Sequence, residues 1–205
     1  MTLSRPDVSN PGAPARDDGF SMVEVLIVAT LVIVMAGLAV PVTTATIDAG
    51  RVRQAAGFAS SRVRFTRQQA VFGNRSFALV FDEAGGRWMF RVCHDGNHNG
   101  IRRVDISAGI DPCFEGPHDI ESMFKGTRGA VDPTIKGPAG EPGSPDPVRF
   151  GRSNLFSCSI GGSCTAGSLY LQSPGGIQYA IRVSGITGRT RVLRYNRVTS
   201  RWFAF

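Results

Sequence analysis

The chain has 205 residues, of which 42% are hydrophobic and only 19% are charged. This composition excludes a wholly disordered, collagen-like or coiled-coil protein, and a mean hydropathy of −0.03 excludes a protein with many membrane spans. The formal net charge is +7, which favours anionic partners.

One apolar run occupies residues 20–40 and reads FSMVEVLIVATLVIVMAGLAV. As a helix it would extend about 31 Å, which matches the roughly 30 Å hydrocarbon core of a bilayer. The alternative is a secretory signal peptide, but the run is longer than usual for one and no clear cleavage site of small residues follows it. Glu24 is the one carboxylate in this run, and because the run holds no cation we expect its partner on another chain.

Beyond Pro41, small residues recur at alternating intervals of four and three, which predicts one continuous helical face. We expect this face to pack on the chain's own domain, the less favoured alternative being a surface for another protein. The helix should end near Gly73 and Asn74, since these residues readily take left-handed conformations. The face consists of Ala45, Ala49, Val52, Ala56, Ala59, Val63, Thr66 and Ala70.

From Ser76 the apolar spacing changes to two, which predicts an antiparallel β domain and an α+β protein overall. Residues 107–147 are rich in glycine and proline and are predicted to be an irregular insertion. The predicted strands are residues 76–81, 87–93, 148–150, 168–172, 178–184, 189–195 and 202–205.

Four cysteines fall into two local pairs, which favours disulfide bonds and an oxidising compartment. Zinc is the alternative, but no C-x-x-C spacing is present. Of the three possible pairings, Cys93–Cys113 and Cys158–Cys164 are favoured because each closes a glycine-containing loop. The β domain is therefore expected outside the cytoplasm.

Residues 95–101, DGNHNGI, resemble the start of a calcium-binding loop. Oxygen-bearing side chains stand at positions 1, 3 and 5 of the loop, a glycine at position 6 and a carbonyl at position 7. Position 12 is Ile106 instead of glutamate, so an Asn/Gly-rich turn remains open as the alternative. The calcium ligands in this hypothesis are Asp95, Asn97, Asn99, Ile101 and Asp105.

No acidic residue follows Asp146, whereas eight arginines do. Either a solvated surface or an anion-binding face would explain this asymmetry. Arg189 and Arg191 lie two residues apart on a predicted strand, so they are expected on one face. By contrast, the chain holds no catalytic motif such as G-x-S-x-G, a P-loop or H-E-x-x-H, which predicts that the protein is not an enzyme.

The sequence from Gly19 to Glu24, GFSMVE, followed by a long apolar run, resembles the processing site of type IV prepilins and type II secretion pseudopilins. The resemblance implies a leader over residues 1–19, cleavage after Gly19 by a prepilin peptidase and N-methylation of Phe20. It further implies that Glu24 pairs with the N-terminus of a neighbouring subunit during assembly.

Three later segments, at residues 167–171, 179–183 and 188–191, are similar to the GspH/FimT family of minor pseudopilins. This implies a long helix over residues 20–74 that spans the membrane in its first half and packs on a β domain of two small antiparallel sheets over residues 75–205. It also implies a single-pass inner-membrane protein whose β domain lies in the periplasm and whose partners are other pilin or pseudopilin subunits.

The family also provides an alternative function, because FimT-type members carry a GRxR segment associated with DNA capture. Gly188, Arg189 and Arg191 match that segment, and Arg182 and Arg194 lie close to it in sequence. An unrelated anchored β domain, such as a calcium-binding surface module, is a third hypothesis.

Overall fold

The computed structural model describes residues 19–205, and for residues 38–43 it describes the backbone alone. The predicted leader, apart from Gly19, and the side chains at the end of the predicted apolar run therefore lie outside the described residues. The chain divides into two units, Met1–Val42 and Thr43–Phe205.

The secondary structure is α+β, with two antiparallel sheets and three helices within the described residues. The helices are α1 (Met22–Phe72), α2 (Arg103–Ser107) and α3 (Ile120–Met123). The strands are β1 (Phe77–Ala84), β2 (Arg87–His94), β3 (Cys113–Asp119), β4 (Val148–Phe150), β5 (Leu155–Cys158), β6 (Gly167–Gln172), β7 (Gln178–Val183), β8 (Thr190–Asn196) and β9 (Arg201–Ala204).

In the first unit, the described part of α1 exposes its apolar side chains. Phe20, just before the helix, is 82% exposed, and Met22 is 84% exposed. Within the part of the chain that the structure describes, no helix combines the length and the apolar character needed to cross a membrane.

In the second unit, α1 packs against both sheets through the predicted face of small residues. Val52, Ala56, Ala59, Val63 and Ala70 are buried in one core with residues of both sheets. The prediction is wrong at Ala45, which is exposed, because the core begins further along the helix. Small side chains allow a helix and a sheet to approach closely.

Helix α1 ends at Phe72 in the predicted place. The Gly73 N–H donates to the Gln69 carbonyl at 2.8 Å, and Asn74 takes a left-handed φ of 47°. A side chain at residue 73 would crowd that same carbonyl. The chain then turns directly into β1.

The two sheets share the core but differ in strand order. The four-stranded sheet has the order β3-β2-β1-β5, and the five-stranded sheet has the order β4-β6-β7-β8-β9. Strand β3 lies inside the segment predicted to be irregular, so that prediction is wrong over residues 113–119. Strand β5 was also absent from the prediction.

The later part of the predicted insertion covers the five-stranded sheet on the face away from α1. Val131 is buried in a small cluster with Tyr170 and Ala180, and the Trp202 indole N–H donates to the Lys136 carbonyl at 2.8 Å. We call residues 125–147 the cover segment. The sheet is consequently enclosed on both faces near its centre.

Candidate functional site

The five residues of the predicted DNA site lie at three separate places. Strand β8 begins at Thr190, so Arg189 lies in the turn before the strand instead of on it. Arg191 is the register partner of Arg182, which places both on the face that the cover segment overlies. Arg194 pairs in register with Tyr179 and Phe203 and so lies on the opposite face. Arg191 lies on the covered face of β8, whereas Arg189 comes just before the first residue of that strand.

Arg182 is already engaged by a carboxylate. One of its terminal N–H groups donates to Glu141 of the cover segment, and the same nitrogen lies 3.3 Å from the Ser168 hydroxyl. Burial alone would raise the pKa of Glu141, but hydrogen bonds from main-chain N–H groups and from Arg182 hold that pKa below its ordinary value. This ion pair, between residues 41 positions apart, leaves Arg182 less free to bind an anion.

Arg189, Arg191 and Arg194 are exposed. Within the described part of the chain, none of the three forms an ion pair with a carboxylate. They therefore keep their positive charge available to an external anion.

A cavity of about 300 Å³ lies between α1 and the turn that precedes β8. We call it the basic cavity. The predicted DNA site does not include the two helical arginines of this cavity, although their spacing of three residues places them on one side of α1. The lining residues are Arg64, Arg67, Gln68, Gly188, Arg189 and Thr190.

Arg194 lines a second cavity, of about 380 Å³, at the β8–β9 edge of the five-stranded sheet. Phe203 and Phe205 contribute exposed aromatic rings to it. The guanidinium carbon of Arg53, on α1, lies 4.4 Å from the centre of the Phe205 ring, within the range of a cation–π contact.

The proposed calcium loop is held by its own carboxylates. Asp95 accepts hydrogen bonds from the main-chain N–H groups of Asn97 at 3.2 Å and Gly100 at 2.8 Å. Asp111, which is fully buried, accepts from Gly96 at 3.0 Å and Arg102 at 3.1 Å. These four hydrogen bonds hold the loop in a turn conformation.

The other residues of the calcium hypothesis differ in their surroundings, and at Ile101 the proposed ligand is the main-chain carbonyl. Asn97 accepts from the Asn99 N–H at 3.2 Å, and the Ile101 side chain packs against a small apolar cluster. A buried carboxylate oxygen of Asp105, Oδ2, has no hydrogen-bond partner. Among the described residues, no group of three or more histidine, cysteine or acidic side chains is arranged to hold a metal ion.

The cysteines pair as the sequence favours, Cys93 with Cys113 and Cys158 with Cys164. The first bond links β2 to β3, and the second links β5 to the loop before β6. Cys93 and Cys158 are buried, so each bond has one end in the interior.

Gly19, Phe20 and Glu24 lie at the start of the described chain. Among the described residues, no atom lies within 4 Å of a Cβ added at Gly19. Glu24 stands in the first turn of α1 and, with Phe20, lines a shallow cavity of about 290 Å³.

The fold defines a class of protein in which one long helix packs on two antiparallel sheets, here with two disulfide bonds. Comparison with curated proteins finds similarity to the type II secretion system protein H of Xanthomonas campestris pv. campestris. The two are 26% identical over 147 residues, which cover 66% of this chain and 82% of the relative. No protein-family model matches the chain, and no solved structure matches it.

Proposed function

We propose that this chain is a minor pilin or pseudopilin, a non-enzymatic subunit of a type II secretion pseudopilus or of a type IV pilus. In this proposal it is cleaved after Gly19, methylated at the Phe20 nitrogen and anchored once in the inner membrane, with its disulfide-bonded domain in the periplasm. Its partners are the prepilin peptidase and the other pilin subunits.

The observation that carries this proposal is the exposed apolar surface at the start of α1. Ile33 is 70% exposed and Leu26 is 61% exposed, and such a surface is stable only when lipid or other proteins cover it. Its position directly after the GFSMVE pattern, in a chain similar to a type II secretion protein, favours a membrane and then a filament as that cover.

Glu24 has a specific role in this proposal. Its carboxylate is the one negative charge on the exposed apolar stretch, and in a membrane or a filament core it requires a positive partner. Cleavage after Gly19 would create that partner, because the new amino group of each Phe20 can pair with Glu24 of the neighbouring subunit.

Mass spectrometry of the mature N-terminus tests the proposal. The full chain is produced in a bacterium with a prepilin peptidase, and the expected N-terminus is N-methylated Phe20. Gly19→Val should remain unprocessed, whereas the matched control Gly37→Val, where a Cβ meets none of the described atoms within 4 Å, should be processed normally. A wild-type N-terminus upstream of Phe20 would contradict the proposal.

A second candidate function is DNA binding during natural transformation, favoured by the exposed and unpaired Arg189 and Arg191. Contacts between these arginines and DNA phosphates would be independent of sequence and steeply dependent on salt, with dissociation constants on the order of 10⁻⁴–10⁻⁶ M at physiological salt. Arg182, held by Glu141, is not needed in this form of the proposal.

Gel retardation of duplex DNA by the full chain in detergent tests this second function. Replacing Arg189 and Arg191 by glutamine should lower the slope of log K against log salt by about 2. The matched control replaces Arg128 and Arg152, which are also exposed, and should retain most of the binding. Equal binding by the Arg189/Arg191 variant, or a slope near zero in the wild type, would refute DNA binding at this site.

A further inference from the structure

The basic cavity joins two parts of the chain that are more than 100 residues apart in sequence, the C-terminal part of α1 and the turn before β8. Arg64 and Arg67 come from the helix, and Arg189 comes from the turn. All three are exposed, so that the cavity opens to solvent.

Arg67 is held in place at this cavity. Its Nε–H donates to the Gly162 carbonyl at 3.0 Å, which orients the guanidinium group and leaves its terminal nitrogens for other acceptors. A planar group fixed in this way loses less conformational entropy when it binds a ligand.

Gly188 is required by the position of Arg67. A Cβ atom at residue 188 would lie 2.4 Å from the Arg67 Nε and 2.6 Å from its Cδ, and the residue has a left-handed φ of 61°. Glycine is the one residue that satisfies both conditions without strain. Gly188, the glycine of the GRTR segment, therefore leaves the space in which Arg67 of α1 packs against the turn.

The cavity concentrates positive charge without local compensation. Three of its six lining residues are arginines and none is acidic, and within the described residues none of the three arginines forms an ion pair. Adjacent like charges raise the free energy of the empty site, and an anion would lower it. Arginine guanidinium groups match the geometry of phosphate oxygens.

We propose that the basic cavity binds a phosphate group and that Arg64 and Arg67 are ligands together with Arg189. The phosphate is either a free anion or one phosphodiester of a nucleic acid, since both present the same oxygens. The proposal shares Arg189 with the second candidate function but adds the two helical arginines, which that function does not require.

Two measurements on the full chain in detergent test the proposal. In the first, thermal unfolding is compared in phosphate and in chloride at equal ionic strength. Phosphate at ten times its dissociation constant should raise the Tm by about 4 °C. Among the described residues the Arg64 side chain forms no hydrogen bond, so Arg64→Gln should leave the fold intact. This variant should abolish the shift in Tm, whereas the exposed control Arg152→Gln should keep it.

In the second measurement, retardation of duplex DNA is followed from 50 to 200 mM salt. The ratio of the DNA affinity at 50 mM salt to that at 200 mM salt should be about 3.5-fold smaller for each phosphate contact that a variant loses. If both measurements depend on Arg64, the site binds free phosphate and nucleic acid alike. If only the unfolding measurement depends on Arg64, the ligand is the free anion, and if only DNA retardation does, the ligand is a nucleic acid.

Independence of Arg64 in both measurements overturns the proposal. If DNA binding requires Arg189 and Arg191 but not Arg64, and the phosphate effect does not require Arg64 either, the second candidate function stands while this site falls. Conversely, a phosphate effect that requires Arg64 in a protein that does not retard DNA would refute the second function alone. Arg67→Gln gives an independent check after its unfolding has been compared with that of the wild type.

Discussion

Removing the two disulfides one at a time should destabilise the protein to different extents. The pairs are well matched, because each joins a buried cysteine to a half-buried one. They differ chiefly in sequence separation, which is 20 residues for Cys93–Cys113 and 6 residues for Cys158–Cys164. The comparison therefore isolates the effect of loop length.

The magnitude follows from the entropy that each bond removes from the unfolded chain. With about −2.1 − 1.5R ln n cal/mol/K for a loop of n residues, the longer loop stabilises the fold by about 3.3 kcal/mol and the shorter loop by about 2.2 kcal/mol at 25 °C. Replacing both cysteines of a pair by alanine should thus cost about 1 kcal/mol more for Cys93–Cys113 than for Cys158–Cys164.

Equilibrium unfolding in urea, followed by circular dichroism, measures this difference. Reduction of the wild type should lower its free energy of unfolding by at least as much as either double variant does. A larger loss for the Cys158/Cys164 variant, or no loss in either variant, would refute the entropic reasoning.

Three further outcomes are expected. Glu24→Val should leave the sheets folded but prevent incorporation into filaments, measured by recovery of the variant in sheared filament fractions. Burial raises the pKa of Asp82, but hydrogen bonds and charges of Arg103 and Arg91 outweigh burial and hold it below its ordinary value. The resulting stabilisation is present above the unfolded pKa of about 3.9 and is lost as the pH falls through the folded pKa, so Asp82→Asn should flatten the acid side of the urea-unfolding profile. Millimolar calcium should raise the Tm of chelator-treated wild type but not that of Asp95→Asn; equal shifts would remove the calcium hypothesis.

Local patterns predicted the elements that are stabilised locally. The small-residue face of α1 is set by helical periodicity, and the β6–β7–β8 meander by alternating apolar residues and short turns. The two cysteine pairs were also favoured correctly. In each case the residues that determine the structure lie within about 20 positions of one another.

Strands β3 and β5 could not be predicted because their sequences carry no clear alternation. Strand β3 contains Gly116 and Pro117, which disfavour a strand, yet it pairs with β2 beside the Cys93–Cys113 bond. Strand β5 has four residues and exists through its pairing with β1. Tertiary contacts overrode weak local preference in both cases.

The candidate anion site shows the same division between local and distant determinants. The composition of the last 59 residues indicated an arginine-rich surface, but charge counting could not show that Glu141 neutralises Arg182. Nor could it show that Arg64 and Arg67 meet the turn at Arg189. Contacts between distant segments decide which arginines remain available.

The cover segment limits how far the length of this chain can vary. Deleting residues 125–147 would uncover Tyr170 and Ala180, which it buries together with Val131, and would remove the carboxylate that neutralises Arg182. By comparison, Gly85 and Gly86 in the β1–β2 turn are exposed, although their left-handed φ angles of 60° and 76° favour glycine at both positions. Extra residues or a fusion partner inserted in that exposed hairpin turn should therefore be better tolerated than a deletion of the cover segment.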